Sequence, residues 1–158
     1  PTDSPGIAEG ACSAGAEAPF LRPKSLSGDK VGKFQVWQHV LEQCETLYKE
    51  SYDCLVDLDC TSPLRDVEDI SAAISQFREV RPEGVDAVFS VCEARKNPYF
   101  NLVERDIDGA LRISKKTSEG VLSRQAAPQV YDHVASIYVL DPPYKECGPV
   151  QDLSLIHI

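Results

Sequence analysis

The chain has 158 residues, the length of one domain with room for a single buried core. Its 42% hydrophobic and 26% charged content excludes a disordered polymer. A formal net charge of −9 argues against a nucleic-acid backbone as partner, though not against a nucleotide, which needs only a few local cations.

Taken in chain order, Ile7 to Ala14 is read as a short helix with Gly15 as its stop. Phe20-Leu21-Arg22-Pro23 follows as an extended segment fixed by its proline. Asp29 is expected to cap a longer amphipathic helix, in which Phe34, Trp37, Val40, Leu41, Cys44, Leu47 and Tyr48 recur at helical spacing. Asp53 to Asp59 is β-leaning and ends at Thr61-Ser62-Pro63. Asp66 then caps a second helix with Val67, Ile70, Ile74 and Phe77 on its apolar face. Asp86 to Cys92 reads as a buried strand. Tyr99 to Val103 and Ala110 to Ile113 flank Asp106-Ile107-Asp108-Gly109 as a hairpin, and Ala135 to Leu140 is a final strand. The alternation predicts an α/β domain on a mainly parallel sheet with an antiparallel hairpin excursion.

No run approaches the roughly 18 apolar residues of a membrane span, and no signal-peptide pattern opens the chain, so no membrane partner is expected and the cytoplasm is the expected compartment. The six cysteines contain no C-x-x-C pair and are read as buried free thiols. Asp152 to Ile158 is short, apolar and unlike the acidic sequence before it. It is read as a non-native tail, which leaves 1–151 as the domain and 152–158 outside it.

In a sheet of this kind ligands collect at the carboxyl ends of the strands, which directs attention to Arg22–Lys33, Asp59–Arg65 and Glu93–Asn97. Strand alternation puts Asp57 and Asp59 on one side, with Thr61, Ser62 and Arg65 at the strand's mouth. Carboxylates suit a hard cation, and hydroxyls with an arginine fork suit phosphate. A plain strand end followed by a helix cap accounts for the same residues, and both readings stand at this point. His39 is read as a packed or boundary histidine within its helix, and His133 stands beside Tyr131 with no role assigned.

Thr61-Ser62-Pro63-Leu64-Arg65, followed by Glu68-Asp69-Ile70, resembles the T-S-P-L-R-x-x-x-D-I block of acylneuraminate cytidylyltransferases, the CMP-sialic acid synthetases. Thr2-Asp3-Ser4, Leu21-Arg22-Pro23 with Leu26 and Asp29, Ser90-Val91-Cys92-Glu93 with Pro98-Tyr99, and Arg124-Gln125 with Pro128, Tyr131 and Ala135-Ser136-Ile137-Tyr138 are similar to four further blocks in the family's order. The resemblance covers nearly the whole chain to Leu140.

It implies a three-layer Rossmann-like nucleotidyltransferase fold, and transfer of CMP from CTP to a nine-carbon 2-keto sugar acid with release of pyrophosphate and help from Mg²⁺. It also implies a homodimer, with the excursion near Tyr99 to Ile113 reaching the partner subunit. By the same resemblance Arg124 is the catalytic arginine, facing the transferring phosphate or the acid. Arg22, Asp29 and Lys33 lie on the nucleotide side, and Asp59, Thr61, Ser62, Arg65, Gln125 and Tyr138 on the substrate side. No metal ligand is assigned, Asp59 being the one candidate.

Departures are visible. Asp59 stands where the family usually has glutamine, Val31 and Lys33 replace hydroxyl-bearing residues, and Val134-Ala135 replaces an asparagine-glycine pair. The family's glycine-rich phosphate loop and late acidic metal motif have no counterpart, so the chain is expected to be an internal piece, inactive alone. Two alternatives stay open: a keto-acid cytidylyltransferase of the octulosonate type, which Asp59 favours, and a non-catalytic nucleotide-binding α/β module.

Overall fold

The computed structural model describes residues 1–118, 120–142 and 155–157, the last segment as backbone only. The boundary expected at 151/152 and Cys147 lie outside the described residues. Among these no helix is long and apolar enough to cross a membrane.

Helix α1 (Pro5–Ser13) opens with the Ser4 hydroxyl accepting from the Ile7 N–H and with proline in its first turn, where the missing donor costs nothing. Helix α2 (Lys33–Tyr48) starts from Gly32 with no side-chain cap. The expected cap at Asp29 is therefore corrected. A turn closed by the Val31 N–H on the Gly28 carbonyl (3.0 Å) leaves Asp29 exposed, one turn too early to reach the helix. Helix α3 (Val67–Val80) does carry the expected cap, as a reciprocal box in which the Asp66 N–H donates to the Asp69 carboxylate (3.0 Å).

The main sheet contains β1 (Leu55–Leu58), β2 (Ala87–Glu93), β5 (Tyr131–Leu140) and β6 (Leu155–His157) in the order β1-β5-β2-β6; β3 (Val103–Arg105) and β4 (Leu111–Ile113) form a separate pair. Strand β5 is antiparallel to both β1 and β2, and β6 alone pairs parallel, with β2. The expectation of a mainly parallel sheet is corrected. The crossover through α3 does make β1 and β2 run the same way, as the strand-helix-strand pattern implied. It leaves a gap of one strand, however, and β5 re-enters from the C-terminal end of β2 to fill that gap in reverse.

The sheet lies between two helices. Trp37 and Leu41 of α2 pack with Ala87, Tyr138 and Leu140 on one face, whereas Ala73 and Phe77 of α3 pack with Val88, Ile137 and Val139 on the other. Alternation along β5 distributes its residues between the two cores. The expected face of α3 is shifted, since Val67 at the helix start is 73% exposed while Ala73 is fully buried.

Strand β5 carries an irregularity that matters for the site. Its register against β2 passes from Phe89↔Tyr138 to Val91↔His133, so the chain between His133 and Tyr138 loops out of the ladder. The Ser90 hydroxyl repairs the gap, donating to the Val134 carbonyl (2.6 Å) and accepting from the Ile137 N–H (3.1 Å).

The hairpin arm expected at Tyr99–Val103 begins instead at Val103. The N–H groups of Phe100, Asn101 and Leu102 all donate to the Asn97 carbonyl, winding that stretch into a turn. At the tip Asp106 accepts from Asp108, Ala110 and Arg112, and Gly109 supplies the positive φ of 81°. Among the described residues the cysteines are free, but not buried as expected. Cys12, Cys60 and Cys92 are exposed, the latter two at strand exits beyond the helix cover, and Cys44 and Cys54 are half-buried.

Candidate functional site

At the carboxyl end of β1, Asp57 and Asp59 face α2, and Lys33 in the first turn of that helix meets both. Its Nζ donates to Asp57 Oδ2 (2.9 Å) and Asp59 Oδ2 (2.8 Å). The strand period puts the two carboxylates on one face, as expected, and Asp57 lies directly across from Tyr138. The ammonium stands 4.5 Å from the centroid of the Tyr138 ring, with Trp37 one helical turn further on. The loop in β5 brings the His133 ring edge-on to Tyr138 at 5.3 Å and to Phe89 at 4.7 Å. The site is thus a cation held by two acids at one end of an aromatic row.

Asp59 is the most strongly perturbed group here. Lys33, then the backbone N–H (3.0 Å) and hydroxyl (2.7 Å) of Thr61, hold its carboxyl far below the usual carboxylate range, outweighing burial. For Lys33, burial works to lower the pKa, but the bonds to Asp59 and Asp57 prevail and raise it. Burial also raises the Tyr138 phenol, with Lys33 opposing and the two carboxylates assisting.

These directions fix the sign of a pH dependence. A depressed Asp59 contributes stability that is complete above its unfolded pKa of about 4 and lost as pH falls through the folded value. A raised Lys33 contributes stability complete below about pH 10 and lost as pH rises through its folded value. Urea midpoints should therefore be level between these limits and decline below about pH 4. Asp59→Asn should flatten the acid decline; an unchanged slope in that variant would show that the bond to Lys33 contributes nothing.

The other expected residues fall in three places. Arg22 shares a cleft with Lys33, Asp57, Ser27, Gly28 and Trp37. Its Nη2 is 3.5 Å from Asp3, and its Nε is buried without a partner among the described residues. Asp29 is exposed nearby and does not line that cleft. Arg65 is committed to the backbone: Nη1 donates to the Ser136 carbonyl (2.8 Å) and Nη2 to that of Asp59 (2.7 Å), tying the end of β1 to the loop in β5. Ser62 lines a separate cleft with Arg65 and Ser90. Arg124 and Gln125 lie on a 3₁₀ turn (Arg124–Ala126) capped by Ser123, and Arg124 lines a further cleft beyond the end of β2.

Magnesium binding can be tested against these side chains. The ion wants several oxygen ligands in octahedral array. Asp57 and Asp59 already turn oxygens toward an ammonium, and the other oxygen of Asp59 is taken by Thr61. Among the described residues no group of three His, Cys, Asp or Glu side chains is placed to hold a metal. The acidic pair does not fit a magnesium site.

No protein-family model matches the chain. It is 38% identical over 138 residues to the post-translational flagellin modification protein B of Campylobacter coli, an alignment covering 87% of this chain and 56% of that protein. It is 37% identical over 143 residues to the CMP-N,N'-diacetyllegionaminic acid synthase of Campylobacter jejuni, covering 90% of this chain and 58% of that protein. These two relatives support a CMP-sialic acid synthetase-like family for the chain. It spans a little over half the length of these relatives.

Within the chain, the structure joins Lys33, Asp59, Thr61 and Tyr138 into one cluster and puts Arg22 in the adjoining cleft. It puts Arg124 elsewhere. Sequence reasoning does not single out Trp37 as a site residue, and it places Asp57 beside Asp59 without giving it a role. The alternation in Asp57-Leu58-Asp59 and the four-residue spacing of Lys33 and Trp37 were the available signals.

Proposed function

We propose that this chain forms the CTP- and acid-sugar-facing part of a cytidylyltransferase that transfers CMP to a nine-carbon 2-keto sugar acid of the sialic acid class. The convergence of Lys33, Asp59, Thr61 and Tyr138, beside the Arg22 cleft, supports this reading. Residues from three separated blocks of the sequence meet at one end of the sheet, where nucleotide-binding α/β domains take ligands. One relative is named as the synthase of the CMP adduct of N,N'-diacetyllegionaminic acid, and that acid is the acceptor proposed here. In the reaction the acceptor hydroxyl oxygen bonds to the α-phosphorus of CTP, the bond to pyrophosphate breaks, and the hydroxyl proton is released.

In this proposal Arg22 and Lys33 bind the nucleotide, Asp59 and Tyr138 meet the sugar, and Arg124, which lines the separate cleft beyond β2, is assigned to the charge of the transferring groups by its family block alone. Mg²⁺ would accompany the triphosphate as its counter-ion, without a ligand from the acidic pair. The test is pyrophosphate release from CTP by the protein carrying this chain, with N,N'-diacetyllegionaminic and N-acetylneuraminic acids as acceptors. Transfer to neither would sink the proposal.

Asp59 is the proposed specificity residue. Asp59→Gln should shift preference toward N-acetylneuraminic acid, with the Mg²⁺ concentration for half-maximal rate unchanged. A collapse in apparent Mg²⁺ affinity would instead support the octulosonate-type reading.

A homodimer completes the proposal. The β3–β4 pair exposes Leu102, Val103, Ile107 and Leu111, Ile107 fully, and a lone two-stranded unit needs an apolar surface to cover. Sedimentation at micromolar concentration should give a dimer, and Leu102→Glu with Leu111→Glu should give a monomer. A parent protein already monomeric would remove this element.

A further inference from the structure

The cleft beyond the end of β2 is lined by Glu93, Arg95, Lys96, Asn101, Arg124 and Gln129, among others, and encloses about 260 Å³. Its two walls come from distant parts of the chain: the exit of β2 on one side and the stretch from the Arg124 turn to β5 on the other. They are fastened together by the Ala94 N–H on the Val130 carbonyl (3.2 Å) and by Asn97 Nδ2 on the Pro128 carbonyl (2.9 Å). Asn97 is itself fixed, its backbone N–H donating to Asn101 and its side-chain oxygen accepting from the Tyr99 N–H. The cleft is a formed feature of the fold.

Its charge is unusual for this chain. Acidic residues outnumber basic ones, 25 to 16, and Arg22, Lys33, Arg81 and Arg112 each hold an aspartate. Arg95, Lys96 and Arg124 hold none among the described residues, as is true of most other cations of the chain, but these three are gathered on one cleft. Against the single carboxylate of Glu93 they leave a formal charge of +2. Like charges brought onto facing walls repel, and a bound anion relieves that repulsion. A lone carboxylate would neutralise half of the excess. A phosphoryl group with two or more charges matches it, and arginine forks with a lysine point charge suit its several oxygens.

We infer that Arg95, Lys96 and Arg124 form a binding site for a multiply charged phosphoryl anion, with inorganic pyrophosphate as the simplest occupant. This rests on the proposed function for its context, because pyrophosphate is the leaving group of that reaction, and it adds Arg95 and Lys96 to the site. Their pairing with Arg124 depends on the β2 exit loop, which strand periodicity does not describe.

Calorimetric titration of the full chain with inorganic pyrophosphate tests the assignment, with CMP and N-acetylneuraminic acid as separate probes. Pyrophosphate should bind with one-to-one stoichiometry, and more weakly as salt rises. The double variant Arg95→Gln, Lys96→Gln should lose roughly tenfold or more in pyrophosphate affinity with an unchanged melting temperature. Arg124→Gln should do the same through the opposite wall. Undiminished pyrophosphate affinity in both variants would overturn the site. So would N-acetylneuraminic acid binding that matches or exceeds pyrophosphate binding and is lost in the same variants, because the cleft would then be a carboxylate site. CMP binding reports separately on the nucleotide reading: its absence from the parent chain would count against the cytidylyltransferase proposal, while the pyrophosphate result would still decide the cleft.

Discussion

Arg124→Ala should lower CMP transfer by the protein carrying this chain by roughly 10²-fold, the usual cost of removing one preorganised charge from such a site. Its melting temperature should stay within about 1–2 °C of the parent, because surface substitutions without packing or ion-pair partners rarely exceed about 0.5 kcal/mol. The structure supplies the reason for separating the two readouts. Arg124 is exposed on its 3₁₀ turn, and no described residue pairs with its guanidinium. Arg124→Lys should recover part of the rate if charge matters, and less than the full rate if the planar fork does. Unchanged turnover in a folded Arg124→Ala protein would remove the residue from the proposed site.

Arg65→Ala should show the opposite division: a loss of about 2 kcal/mol in stability, within the range for hydrogen bonds that involve a charged partner. Two carbonyls, of Asp59 and Ser136, would lose their shared donor, at the point where the end of β1 meets the irregular part of β5. Lysine should restore little, since one ammonium cannot span both oxygens as the two guanidinium nitrogens do. Urea unfolding measures the loss. Any fall in activity should then track the fraction unfolded and be recovered at lower temperature or with added osmolyte. A stable Arg65→Ala protein with a raised KM for the sugar acid would return Arg65 to direct substrate contact, the role implied by its place in the Thr61–Arg65 block.

The contrast between these two arginines shows what was legible in the sequence. Local chemistry announced the Asp66 cap, the break at Pro63, the Trp37 and Leu41 side of α2, and the shared side of Asp57 and Asp59, because each depends on residues within a turn or a strand repeat. The ordered blocks from Thr2 to Tyr138 carried the family resemblance. Tertiary structure alone decided the rest. A helical crossover orients β1 and β2 alike but says nothing about which strand enters between them, so the antiparallel course of β5 could not be read. Nor could sequence show that Lys33 bonds to Asp57 and Asp59, that Arg65 donates to backbone carbonyls, or that Arg95 and Lys96 line one cleft with Arg124. Periodicity reports which side of an element a residue occupies, whereas a cation's partner depends on which distant segments the fold brings within reach.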